Sequence, residues 1–386
     1  MATVVSVLRR LPPGVRRVLK RLPGAAAVRD RLSGRPRIGG PAAGELRAVV
    51  YPPTWVEWDT MKQRPQHILQ AFARAGHPVY FVDLATTEPR EVDGVTIVPS
   101  LDSVPRDGVI VYAHFAPVRP MLRYFSDPVV VYDILDDLAI FDADEVGLPP
   151  ERRVRHHHGP MIEDAAVVIG SSPLLVERHR SERADMLLIE NGVETSRFAG
   201  VETPSVALDG NSPPIVGYHG MIARWFDFDL MLTVAGSMPE VTFVLVGPID
   251  ARCQRDASRL ASTSNIAMID ELPSSEMPGI VAGFDVGIIP FVIDEMTSAV
   301  SPLKMYEYLA GGKPVVATPL PVCVDHPLVA TAADPPEFVA AIRDALTTPT
   351  HSVAERRMAA AVADWDARLR PLLEDLDRRG LQRVPQ

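Results

Sequence analysis

The sequence predicts an α/β protein of two doubly wound domains, and three observations predict it. Its 386 residues exceed the usual span of one domain. Short segments rich in Val and Ile, several apolar throughout, alternate with helical stretches in two successive series, as parallel strands covered on both faces require. Between the series, Gly200–Pro214 (GVETPSVALDGNSPP) has no periodicity and concentrates Pro, Gly and Ser, which marks a linker.

In the first series, strands are expected at Leu46–Tyr51, Val79–Asp83, Val95–Pro99, Val109–His114, Val129–Ile134, Val167–Ser171 and Met186–Glu190. Helices are expected at Pro65–Ala75, Glu151–Asp164 and Pro173–Arg183. The second series places strands at Ile215–His219, Val241–Val246, Ile266–Ile269, Val286–Pro290 and Val315–Thr318. Its helices are Asp229–Met238, Ser274–Ala282, Pro302–Ala310 and Pro335–Leu346, and Ser352–Arg379 reads as one or two more. The expected organisation is an arm at 1–44, a domain at 45–200, a linker at 201–214, a domain at 215–350 and C-terminal helices at 351–386.

Residues 1–40 carry ten Arg and Lys against the single Asp30, a net charge of +9, which leaves −19 on the rest of a chain whose total is −10. Val15, Val18, Leu19 and Leu22 recur at helical spacing with Arg16, Arg17, Lys20 and Arg21 between them, as in a short basic amphipathic helix. Two readings stand for this arm: a disordered tail, or docking on an anionic membrane surface. The acidic body and the absence of interleaved aromatics argue against nucleic acid. The arm lacks the continuous apolar core of a signal peptide, and its composition leaves an organellar transit peptide open. No run approaches the roughly 18 apolar residues of a membrane span. Cys253 and Cys323, far apart, suggest neither a disulfide framework nor a zinc site, which fits a reducing, cytoplasmic setting.

The most informative segment is Ser301–Pro319, SPLKMYEYLAGGKPVVATP. It reads as a helix opening at Ser301, Pro302 and Leu303, closing at Gly311-Gly312, then a buried strand. Lys304 and Glu307 are three apart and share a face near the helix start. Free backbone N–H groups and Lys304 suit an anion, and Glu307 can accept from vicinal hydroxyls, which together describe a nucleoside diphosphate with its ribose. On spacing alone, a capped surface helix with an ion pair is the other reading.

This segment resembles the donor-binding helix of GT-B glycosyltransferases, especially the retaining family 4 type, with its pattern PLKxxEYLAxGKPVV. The resemblance implies the GT-B fold, two Rossmann-like domains facing across a cleft, with a nucleotide-sugar donor held mainly by the C-terminal one. It matches Glu307 to the acid that holds the donor ribose and Lys304 to a basic residue at the diphosphate. A second acid usual eight positions earlier is replaced by Ala299, and the polar stretch Asp294–Ser298 is the candidate substitute.

Three further stretches carry the resemblance. Ile189–Phe198, IENGVETSRF, is similar to the NGVDxxxF signature between the two domains. Gly217–Asp229, GYHGMIARWFDFD, resembles the first turn of the donor domain, where Gly220 would let the backbone approach the diphosphate. Met221 stands where a basic residue is usual, and Arg224 is the nearest substitute, either a phosphate contact or a solvated charge. Val131–Phe141, VYDILDDLAIF, resembles the YDxxDDxxxF motif of bacterial enzymes of polysaccharide and teichuronic-acid-type synthesis.

Asp133, Asp136 and Asp137 follow a buried strand, so mutual repulsion would raise one pKa and make a general base, with helix capping the other role. Asp136, Asp137 and the strand-end His114 are the catalytic candidates. In Trp55–His67 (WVEWDTMKQRPQH), Arg64 and His67 are candidates for acceptor or phosphate contact. Trp55 and Trp58 are expected either to stack on a sugar or to pack the loop. His156, His157 and His158 project from a helix in different directions, cannot jointly ligate one ion, and read as surface. No metal and no cofactor are expected.

The resemblance implies transfer of a sugar from a nucleoside diphosphate sugar, a substrate, to a glycan or lipid-linked acceptor, metal-independent and with retention. Alternatives are a nucleotide-sugar 2-epimerase of the same fold or a non-catalytic carbohydrate-binding scaffold.

Overall fold

The computed structural model describes residues 38–136 and 153–386. The basic arm up to Arg37, together with Asp137 and Phe141, lies outside the described residues. Two compact units divide the chain: residues up to Ile189 together with Leu369–Gln386, and Glu190–Arg368.

The first unit is built on an eight-stranded sheet. Its strands are β1 (Ala48–Tyr51), β2 (Val79–Val82), β3 (Arg90–Val92), β4 (Val95–Val98), β5 (Val109–Ala113), β6 (Val129–Ile134), β7 (Val167–Gly170) and β8 (Leu187–Leu188). They lie in the order β3-β4-β2-β1-β5-β6-β7-β8. All pairs are parallel except β3 with β4, a hairpin whose turn residues Asp93 and Gly94 both have positive φ (50° and 78°). β3 was absent from the expected strands because three residues, two of them charged, carry no strand pattern.

The second unit has a six-stranded, wholly parallel sheet of β9 (Ile215–His219), β10 (Thr242–Val246), β11 (Ile266–Ile269), β12 (Val286–Ile289), β13 (Val315–Ala317) and β14 (Val329–Thr331). The order is β11-β10-β9-β12-β13-β14. Strand order therefore reverses beside β1 in one unit and beside β9 in the other. At such points the carboxyl ends of neighbouring strands diverge and leave room for a ligand. The central strands β1, β5 and β9 are buried at every residue, as two covered faces demand.

The unit boundaries differ from the expected ones for identifiable reasons. The Pro- and Ser-rich stretch 201–214 is fastened to the second unit rather than bridging freely. Ser205 N–H donates to the Gly279 carbonyl (3.0 Å), its hydroxyl to Glu276 Oε2 (2.9 Å), and Leu208 is buried in the core. The C-terminal helices do not form one appendage. Val353–Val362 stays in the second unit, where Arg356 Nη1 donates to the Gly312 carbonyl (3.1 Å). From Leu369 the chain belongs to the first unit, where Arg47 N–H donates to the Gln382 carbonyl (3.0 Å) and Val384 N–H to that of Glu45 (2.9 Å). No described helix is long and apolar enough to cross a membrane.

Candidate functional site

In the first unit, polar groups gather at the carboxyl ends of β1, β5 and β6. Tyr51 ends β1, and its hydroxyl lies 2.9 Å from His114 Nδ1, just past β5, and 2.9 Å from Thr54 Oγ1. His114 Nε2 is buried without a hydrogen-bond partner among the described residues. Burial lowers this imidazole to about 4, so the ring is neutral near pH 7 and a hydrogen bond at Nε2 is available to a ligand. Trp55 stands edge-on to His114, with ring centroids 5.2 Å apart.

Beneath them runs a buried ion pair that the sequence reading missed. Arg64 opens the helix Arg64–Arg74 and is 1% exposed; its Nε donates to Asp133 Oδ2 at 2.7 Å and its Nη2 to Oδ1 at 3.2 Å. Tyr112 adds a third hydrogen bond to the same carboxylate at 2.5 Å. Burial alone would lower the guanidinium's pKa, but Asp133 and Tyr112 hold it above its ordinary value. Removing one partner of such a pair strands a charge in the core, at a cost of about 3–5 kcal/mol.

Several expectations are therefore corrected. Arg64 is consumed by Asp133 and is not open to an acceptor or a phosphate. Asp133 is a structural counter-ion. Trp58, 8% exposed, packs edge-on against Phe81 and donates its backbone N–H to Asp83 Oδ2 (2.9 Å), so it offers no face to a sugar; Trp55 is the aromatic beside His114. His67 is buried in the same helix as Arg64, not presented to solvent. Asp136 keeps its candidacy. It follows β6, is half-buried, and is raised to about 6 by burial first and then by Asp133, with Arg64 opposing. Asp137 lies outside the described residues.

The histidine triplet is also corrected. Only His156 is exposed; His157 and His158 are buried, because Val154, His157, His158, Met161 and Ile162 form the inward stripe of the helix Val154–Asp164.

In the second unit the candidate residues converge on the carboxyl end of β9. The helix Leu303–Ala310 starts from Pro302 in extended conformation, which places Lys304 and Glu307 a turn apart. Glu307 Oε2 lies 3.3 Å from Nε2 of His219, the last residue of β9. Burial and Lys304 press that imidazole to about 3, so the contact is with a neutral ring and not an ion pair. Lys304 Nζ sits 4.9 Å from the Tyr218 ring centre and 4.7 Å from that of Phe291. Burial lowers the ammonium to about 8 against the pull of Glu307.

Gly220 adopts φ +124° beside Lys304, and a Cβ on it would come within 3.1 Å of Lys304 Cε. Gly247, at the end of β10, has φ +140°; a Cβ there would fall 2.3 Å from the Gly220 carbonyl oxygen. Two bare backbone turns thus lie against each other beside an ammonium, an arrangement suited to an anion. Gly247 and His219 were missed; their strand-end positions at the reversal point were the available signal.

Asn191 of the NGV segment donates through Nδ2 to the Ser301 carbonyl (2.5 Å), tying that segment to the start of the Leu303 helix. Ser301 and Pro302 are buried and Leu303 half-buried, so they shape this helix start. Arg224 is exposed, with Nη2 3.2 Å from Met296 Sδ, and it acts electrostatically on Asp250. The polar stretch after β12 is closed on itself. Thr297 N–H donates to Asp294 Oδ1 (2.8 Å), and the Ser298 hydroxyl donates to the Asp294 carbonyl (2.6 Å). Ala299 is buried.

Two doubly wound units, each with its polar groups at the strand reversal, define the class by fold: GT-B. Similarity to solved structures shows the same fold. Sucrose-phosphate synthase from Thermosynechococcus elongatus superposes with a TM-score of 0.62 at 16% identity, over 86% of this chain and 99% of that one. HepE of Anabaena, solved in complex with UDP and glucose, gives 0.59 at 15% identity, over 86% and 100%. More particularly, residues 213–348 match the family described as Glycosyl transferases group 1. A Bacillus subtilis protein, TuaH, named for glycosyltransferase action in teichuronic acid biosynthesis, is 30% identical over 195 residues, 48% of this chain and 49% of that one. The match spans about half the length of this curated relative.

The depressed value of Lys304 sets the sign of a pH effect: the side chain is cationic below about 8 and neutral above. Affinity for inorganic pyrophosphate, measured by calorimetry, should be level from pH 6.5 to 7.5. Above 8 it should fall by roughly tenfold per unit, since each added unit removes a proton that binding must restore. Lys304→Arg should flatten the fall.

Proposed function

We propose that the protein is a glycosyltransferase, moving a sugar from a nucleoside diphosphate sugar to a hydroxyl of a glycan or lipid-linked glycan in polysaccharide or cell-envelope biosynthesis. The observation that carries this reading is the convergence of Lys304 and Glu307 on the Gly220 turn at the end of β9. The cation and bare turns suit a diphosphate, and the carboxylate suits the vicinal hydroxyls of a ribose. The family match over 213–348 and the name of the Bacillus relative support it. The UDP bound in the Anabaena neighbour makes uridine diphosphate the first nucleotide to try.

In the reaction, the acceptor oxygen bonds to the anomeric carbon on the same face from which the diphosphate oxygen departs, as the bond from that carbon to the diphosphate oxygen breaks. The charge on the departing diphosphate is met by Lys304 and Arg224, without metal or cofactor. The acceptor proton passes to Asp136, while the neutral His114, fixed by Tyr51, offers Nε2 to an acceptor hydroxyl. Similarity to the retaining family 4 type favours retention of configuration. The basic arm brings the enzyme to an anionic membrane on the cytoplasmic side, where a lipid-linked acceptor is found.

Calorimetry with UDP, GDP and ADP and their sugars tests the donor site. One nucleotide should bind, and Glu307→Gln should weaken it at least tenfold; a folded protein that binds none would return the chain to the scaffold reading. With a transfer assay in hand, kcat/KM should fall as pH drops through about 6, where Asp136 becomes protonated. Asp136→Asn should remove that limb and at least a hundredfold of rate. The product's anomeric proton coupling should match that of the donor, and an inverted product would refute retention. Deleting residues 1–40 should release the protein from phosphatidylglycerol vesicles, and unchanged binding would exclude the arm as the anchor.

A further inference from the structure

The face of β6 away from Asp133 carries a second constellation. Successive strand residues point to opposite faces, so Tyr132 projects away from the Arg64–Asp133 pair. Its hydroxyl lies 2.8 Å from Nδ1 of His158, on the helix Val154–Asp164. His158 is 5% exposed, and its other nitrogen, Nε2, has no hydrogen-bond partner among the described residues. Facing it are His179, at the end of the helix Pro173–Arg178, and Glu182 in the turn that follows. One ligand atom from each of the three lies within 4.8 Å of the others. The His158 and His179 rings are 4.8 Å apart between centroids, and His179 Nδ1 is 3.1 Å from Glu182 Oε2.

The supporting structure is fixed. Glu182 and Arg183 both donate backbone N–H to the His179 carbonyl (3.0 and 2.9 Å), which folds Glu182 back on His179. Arg183 reaches across to the carbonyls of Ile162 (3.3 Å), Ala165 (3.0 Å) and Ala166 (2.9 Å). It thereby staples the turn to the end of the helix that bears His158. Asp185 holds Arg183 Nε at 2.5 Å and Arg379 Nη2 at 3.0 Å.

We propose that His158, His179 and Glu182 form a binding site for a divalent transition cation of the zinc type. Two imidazoles and a carboxylate are a borderline donor set that suits zinc, cobalt or nickel, and suits calcium or magnesium poorly. Tyr132 at Nδ1 orients His158 and leaves Nε2 as the ligating nitrogen, the outer contact that such ligands ordinarily have. Tetrahedral ligands about 2.1 Å from zinc lie roughly 3.4 Å apart, so the set closes by small side-chain rotations about the pair already in contact. Glu182 is exposed, which leaves the remaining coordination position to water. No other described group of three His, Cys, Asp or Glu side chains has this closeness.

The test uses the full chain, stripped with chelator and dialysed, then titrated with zinc chloride by calorimetry against a magnesium chloride control. One zinc per chain should bind, with no saturable magnesium binding. Glu182→Gln and His179→Gln should each weaken zinc at least tenfold, and zinc should raise the Tm of the native chain and of neither variant. Glu182 is exposed and His179 half-buried at a helix end, so circular dichroism verifies folding of both variants before titration. Absence of saturable zinc binding, or zinc affinity within twofold of native in both folded variants, would overturn the assignment.

Discussion

A parallel sheet covered on both faces has no room for chemistry along its strands, and most of this molecule's organisation follows from that constraint. β1, β5 and β9 are buried at every residue, so polar groups are expelled to the carboxyl ends. Tyr51, His114, Asp136, His219 and Gly220 all stand there, each the last residue of a strand or within two positions of it. Asp133, an acid placed inside a buried central strand, is tolerated because Arg64 and Tyr112 neutralise and saturate it.

The same constraint explains what could be read from sequence. Strands that must be apolar on both faces leave an unbroken Val and Ile signature, so the central strands of both sheets were legible almost to the residue. β3 and β14 are three residues each and half open to solvent, and nothing in their composition separates them from loops. The Leu303 helix was legible because Lys304 and Glu307 sit close in sequence. The Arg64–Asp133 pair was not, because its members are 69 residues apart and meet only through the sheet. Arg64 was expected at an acceptor or phosphate and Trp58 either on a sugar or packing its loop, and in both instances a partner distant in sequence holds the residue.

Burial also sorts the titratable groups by role. His114 and His219 are both driven neutral at physiological pH, so each can serve as an oriented hydrogen-bonding group and neither as a cation. The pKa of Asp136 moves the opposite way, upward, which again favours the neutral form, and comes to rest where a modest change in surroundings alters its proton. Lys304 remains charged only by about one unit at neutral pH, poised between aromatic rings and the acid one turn along.

The return of residues 369–386 to the first unit has a consequence for how the chain is made. Topologically, Glu190–Arg368 is an insertion within the first unit, synthesised in full before residues 369–386. The first unit is different: the backbone partners of Glu45 and Arg47 are Val384 and Gln382, made only after the whole insertion. Its amino-terminal edge must therefore wait, with those donors and acceptors open, while the later unit folds. Order of synthesis and order of completion are reversed, and a chain halted just after Arg368 would carry a finished insertion inside an unfinished host.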